Sequence, residues 1–114
     1  MALAAQGRFQ ESLDLLSAGI RSFRSDAALH VNRAGVLIQL KRYGEAIEDA
    51  TRALKLDPEY DKALNFRAFA LMELESYEVA LEDLNRALAL KPDDVANHRN
   101  RAACHVALGD MERG

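Results

Sequence analysis

Apolar residues recur along this chain at helical spacing. Ala46, Ile47, Ala50, Ala53 and Leu54 fall on one stripe of an amphipathic helix. The same pattern predicts helices near residues 8–22, 27–41, 44–56, 61–75, 78–90 and 95–108, with a remnant helix near 1–5 and a stub from about 110. Two short links, Lys41-Arg42-Tyr43 and Glu75-Ser76-Tyr77, join consecutive helices; each tyrosine is placed to pack between them while its polar neighbours face water. Each pair therefore reads as an antiparallel hairpin. Leu56-Asp57-Pro58 and Leu90-Lys91-Pro92 end the second helix of a pair, because proline donates no amide hydrogen and disfavours helix in the residue before it. Proline occurs nowhere else, tryptophan is absent, and the strong helix formers Ala, Leu, Glu, Arg and Lys dominate, so strands are not expected.

The hairpins repeat. Arg33-Ala34, Leu37, Leu40, Tyr43, Ala46, Glu48-Asp49, Arg52-Ala53-Leu54, Leu56 and Pro58 return in the same order as Arg67-Ala68, Leu71, Leu74, Tyr77, Ala80, Glu82-Asp83, Arg86-Ala87-Leu88, Leu90 and Pro92. Every offset equals that from Arg33 to Arg67. Another copy begins at Asn100-Arg101-Ala102-Ala103 and reaches Leu108-Gly109-Asp110, and the rear of an earlier one shows between Gly7 and Leu16. The expectation is one array, with a partial repeat over 1–26, full repeats over 27–60 and 61–94, and a partial repeat over 95–114. Both ends cut a hairpin, as in a piece of a longer array. An uncapped solenoid end leaves an apolar face in water, which makes self-association of copies an alternative role.

The small residues at fixed places carry a resemblance to the tetratricopeptide repeat (TPR) family. Ala34, Ala68 and Ala102 match the family's small residue of the first helix, Ala46 and Ala80 that of the second, and Ala53 and Ala87 the later alanine before the proline. The sequence departs from the family pattern at Ser12 and Gly19, where alanine is preferred, and at Arg24, where the terminating proline would stand. His30, Leu64 and His98 replace the tryptophan that often opens the first helix. The resemblance implies an all-α, right-handed superhelical solenoid of antiparallel hairpins that binds other polypeptides along a concave groove lined by the first helices. The inward-facing residues would then be Ala28, Val31, Asn32, Gly35 and Gln39, then Lys62, Asn65, Phe66, Phe69 and Glu73, then Arg99, Asn100 and Ala103.

Asn32, Asn65 and Asn100 each offer a donor and an acceptor to the main chain of an extended peptide, Phe66 and Phe69 offer an apolar anchor, and Lys62 and Arg99 add charge. Leu29-His30-Val31-Asn32-Arg33-Ala34 and His98-Arg99-Asn100-Arg101-Ala102-Ala103 also resemble the Asn-Arg-Ala helix of co-chaperones that clamp the C-terminal carboxylate of heat-shock chaperones. That match is partial. With Asn32 as the central asparagine, Lys62 fits the clamp's lysine, but Phe66 stands where an arginine is required. With Asn100 in that role, Asn65 and Phe69 stand where Lys and Asn are required.

Composition narrows the alternatives. A chain of 114 residues supports one packing unit, and with 49% apolar and 29% charged residues it lies in the range of folded proteins. A net charge of -3 gives no field that attracts nucleic acid. No apolar run approaches the length of a membrane span, and Cys104, the single cysteine, fits a reducing compartment, so a cytoplasmic setting is the default. No cofactor, metal or catalytic set is expected. His98 and His105 have no further ligand at metal spacing, and Cys104 and His105 are adjacent on a helix and point apart. His30, His98 and His105 read as packing residues, and Cys104 as an inert buried thiol. The Glu48-Asp49 and Glu82-Asp83 pairs read as hydrated surface groups paired with Arg52 and Arg86.

Overall fold

The computed structural model describes the backbone of residues 2–113 and the side chains of residues 7–109. The described residues form six helices and no strand: α1 (Ala2–Ser22), α2 (Ala27–Gln39), α3 (Tyr43–Leu56), α4 (Asp61–Glu73), α5 (Tyr77–Leu90) and α6 (Val95–Arg113). The four central helices start and end close to their sequence-based bounds. The outer two do not. α1 runs unbroken through Gly7, and α6 through Gly109, where a link was expected.

The central links are Schellman turns. The amides of Lys41 and Arg42 donate to Ile38 and Leu37 at 2.9 and 2.8 Å, and those of Glu75 and Ser76 to Met72 and Leu71 at 3.0 and 2.8 Å. Lys41 and Glu75 carry φ values of 60° and 63°, in the left-handed region where glycine is the unstrained residue. Gly7 and Gly109 occupy the same repeat position but lie in continuous helix.

Sequential helices pack on each other, and beyond that α2 touches α4 and α4 touches α6, while α1 and α3, or α3 and α5, do not meet. The first helices of the hairpins thus crowd on the inside of a curve and the second helices splay on the outside. Alanine permits this crowding: Ala34, Ala46, Ala53, Ala68, Ala80 and Ala87 are all buried. The core is built in successive patches, one around Leu37 and Ala50, one around Leu54 and Leu64, and one around Leu84 and Cys104. Such a core is quasi-one-dimensional, with each hairpin stabilised by its neighbours. Ala102, His98 and His105, expected to pack, are instead exposed, because no described helix follows α6 to cover that face.

A polar ladder ties the hairpins together, and here the surface reading of the aspartates is corrected. Asp49 and Asp83 are 1% and 2% exposed. The Arg33 guanidinium donates twice to Asp49, at 2.6 Å each, and Arg67 twice to Asp83, at 2.8 and 2.7 Å. These hydrogen bonds hold the Arg33 and Arg67 pKa values above the usual arginine value. Each arginine also reaches back to the preceding hairpin, Arg33 to Ser17, Arg67 to Thr51 and Arg101 to Asn85. One guanidinium therefore links the first helix of a hairpin to both flanking second helices. Glu48 stays on the surface, 3.7 Å from Arg52.

Candidate functional site

The inner layer of first helices presents its repeat positions as columns. Asn32, Phe66 and Asn100 share one repeat position and stand on α2, α4 and α6 in turn. Asn32 is exposed, Phe66 and Asn100 are half-buried. Phe66 has two tasks. Its ring lies 3.1 Å from where a Cβ on Gly35 would sit, so the glycine lets α4 close onto α2, and the half-buried ring also packs against the core patches on both sides of α4. The Lys62 ammonium, one turn earlier on the same helix, lies 5.6 Å from the centre of that ring, a cation-π contact that positions the charge beside the apolar surface.

The remaining candidates divide by position. Phe69 is half-buried on α4, and Arg99 is exposed on α6. Asn65 is engaged: its side-chain amide donates to the Oδ1 of Asn97, which is 2% exposed. Val31, expected to face inward, is fully buried among Ala53, Leu54 and Leu64. Val31 and Asn65 share a repeat position, which lies on the seam with the following hairpin rather than on the open face. Asn97 escaped sequence reasoning because its equivalents are Leu29 and Ala63, so no repeat signal marks it. Beside it, Tyr60, Lys62, Asn65, Lys91, Asp94 and Asn97 line a cleft of about 310 Å³ at the start of α4 and α6. Lys91 binds Asp61 at 3.0 Å, a hydrogen bond that raises its pKa above the usual lysine value.

Burial pushes the Cys104 thiol up, away from the reactive thiolate, and the neighbouring His105 is exposed on another face. Among the described residues no helix is long and apolar enough to cross a membrane, and no three metal-ligating side chains converge. What the inner helices offer is two amides, Asn32 and Asn100, on either side of half-buried Phe66 and Phe69, with the Lys62 ammonium over the Phe66 ring.

Models of the tetratricopeptide repeat match residues 1–61 and 61–94. The serine/threonine-protein phosphatase T of Aspergillus oryzae is 40% identical over 65 residues, covering 57% of this chain but 14% of that protein. Among solved structures, the first TPR domain of Spaghetti (RPAP3) bound to the HSP90 peptide SRMEEVD superposes with a TM-score of 0.89 at 28% identity, covering 92% of this chain and 83% of that one. The second TPR domain of human RPAP3, in complex with the HSP70 peptide SGPTIEEVD, gives 0.83 at 26% identity, covering 91% and 87%. With the internal period, the six helices and the repeat models all in one register, the chain belongs to the tetratricopeptide repeat family.

Proposed function

We propose that this chain is a non-catalytic interaction module that holds an extended segment of a partner protein along α2, α4 and α6. The observation that carries this reading is the column Asn32, Phe66 and Asn100, with Lys62 set over the Phe66 ring. First helices in contact lie about 8–10 Å apart, and an extended chain rises about 3.3 Å per residue, so the column spans roughly six peptide residues. A bulky apolar side chain packs against Phe66 and Phe69 at the middle, the two asparagines pair with peptide main chain on either side, and Lys62 and Arg99 favour an acidic partner. The RPAP3 domains support this reading, since the peptides in those structures are acidic, ending in EEVD.

The test is an isothermal titration of the heptapeptide SRMEEVD, with a free and with an amidated C-terminus, beside an array of hexapeptides carrying one central aromatic or aliphatic residue. Array ligands are expected that lose at least fivefold in affinity to Asn32→Ala and Phe69→Ala at unchanged helicity. Absence of any array ligand, or ligands indifferent to both substitutions, would contradict the groove. Amidation distinguishes a carboxylate clamp: without an arginine at Phe66, the two termini should differ less than threefold.

A second reading is assembly of copies through the open face of α6. Val106, 65% exposed, and exposed Ala102 favour it. Light scattering over a hundredfold concentration range tests it: a concentration-dependent dimer lost in Val106→Glu supports assembly, and a monomer throughout removes it.

A further inference from the structure

The outer face carries a cleft of different chemistry from the inner helices. Between the C-terminal ends of α1 and α3 lies a cleft of about 420 Å³ with an apolar floor that includes Ile20 and Leu56. Arg21, Arg24, Arg33, Arg52 and Lys55 stand around it, with no acidic residue among its lining. Arg21, Arg24 and Lys55 form no ion pair among the described residues; Arg52 is held by Asp49 at 2.9 Å and remains half-exposed. One wall is His30, 5% exposed, whose Nε2–H donates to the Arg24 carbonyl at 3.0 Å. Its Nδ1 is buried without a hydrogen-bond partner.

The next junction of the array is a control. There the repeat positions of Arg24, His30 and Lys55 hold Pro58, Leu64 and Ala89. Leu64 is fully buried, and Arg86 turns in to donate to the Pro58 carbonyl at 2.9 Å. The cations Arg24 and Lys55 and the His30 wall are thus features of the first junction that the second lacks. Placement near helix C-termini, where cations are favoured, accounts for Arg21 and Lys55 but not for Arg24 or the apolar floor.

We infer that this cleft docks an acidic protein segment carrying one bulky apolar side chain. Charge complementarity selects the acidic character: of five cations lining one opening, Arg33 and Arg52 are held by Asp49 and Arg21, Arg24 and Lys55 are not, on a chain whose net charge is -3. The apolar floor and the cleft volume take a single large side chain, whose burial supplies the anchor. This docking does not rest on the groove reading, because the residues involved are on the other face of the array.

The experiment is a fluorescence-anisotropy titration with the amidated peptide fluorescein-Gly-Glu-Asp-Glu-Phe-Asp-Glu, on the whole chain. The expected result is saturable binding at moderate salt that weakens at least tenfold in Arg24→Glu/Lys55→Glu, and at least tenfold when the peptide phenylalanine becomes serine, but less than twofold in Asn32→Ala/Lys62→Glu. Arg24→Ala, an exposed truncation, gives the same direction should charge reversal disturb the fold. No binding by the original chain at millimolar peptide, binding abolished by the groove variant, or self-association through the cleft in place of peptide binding would each overturn the proposal.

Discussion

The two junctions of the array use the same ladder and finish it differently. At both, an arginine of the first helix forks onto a buried aspartate of the second, Arg33 onto Asp49 and Arg67 onto Asp83. At both, a backbone carbonyl just after the preceding second helix accepts a side-chain hydrogen bond. His30 does this for Arg24, and Arg86 does it for Pro58, where Leu64 has no polar atom to offer. His98 repeats the histidine solution on Pro92 at 2.6 Å. The carbonyl acceptor recurs, and the residue that donates to it varies. Where histidine meets it, Arg52 is left free to bind Asp49 and the outer surface stays open. Where arginine meets it, Arg86 is turned toward Pro58 and makes no bond to Asp83 among the described residues.

The largest effect expected on this comparison comes from breaking the ladder. Asp49→Ala strands two guanidinium groups, Arg33 and Arg52, while Asp83→Ala strands only Arg67. Removing one partner of a buried pair costs about 3–5 kcal/mol, and urea denaturation should place Asp49→Ala at the upper end and Asp83→Ala at the lower. Equal, small losses would show that the ladder is decoration.

Next in size are the glycines at the helix contacts. Gly35→Leu pushes into the Phe66 ring and should destabilise by about 2 kcal/mol in the same assay. Gly19→Ala meets only Leu29 at an ordinary 3.5 Å, so better helix propensity should stabilise by roughly 0.5–1 kcal/mol. Smaller still, Lys41→Gly and Glu75→Gly remove left-handed strain at both hairpin turns, and each should raise stability by roughly 0.5 kcal/mol, read as a higher urea midpoint. The smallest change is Arg86→Ala: an exposed hydrogen bond to Pro58 is lost, and about 0.5 kcal/mol or less should follow. The same variant leaves Pro58, Leu64 and Ala89 in place at the second junction, so no gain of binding by the acidic fluorescein peptide is expected there.

Much of this architecture is legible in the sequence. The internal period locates the hairpins, and the alanines mark the close contacts, because small residues at fixed intervals leave a signal in composition as well as in spacing. The buried role of Asp49 and Asp83 is not legible from their neighbours, since a Glu-Asp pair beside an arginine on one helix reads as solvated surface. The spacing does contain it: Arg33 to Asp49 and Arg67 to Asp83 are the same interval, the one that separates facing positions of a hairpin. In the groove, Asn32 and Phe66 can be placed by register, but the seam position of Val31 and Asn65 depends on how the next hairpin leans. Asn97 could not be found, as it breaks the repeat instead of following it. The continuous outer helices, α1 and α6, are not legible, because Gly7 and Gly109 stand at the family's turn position and yet lie within helix.

The groove on the first helices stands or falls with chemical-shift mapping of the labelled chain, titrated with a hexapeptide taken from the array. Saturable shifts are expected at Asn32, Lys62, Phe66, Phe69 and Asn100, along the inner faces of α2, α4 and α6, with α3 and α5 nearly silent. Shifts confined to α3 and α5, or none at millimolar peptide, would rule out a binding groove on the first helices.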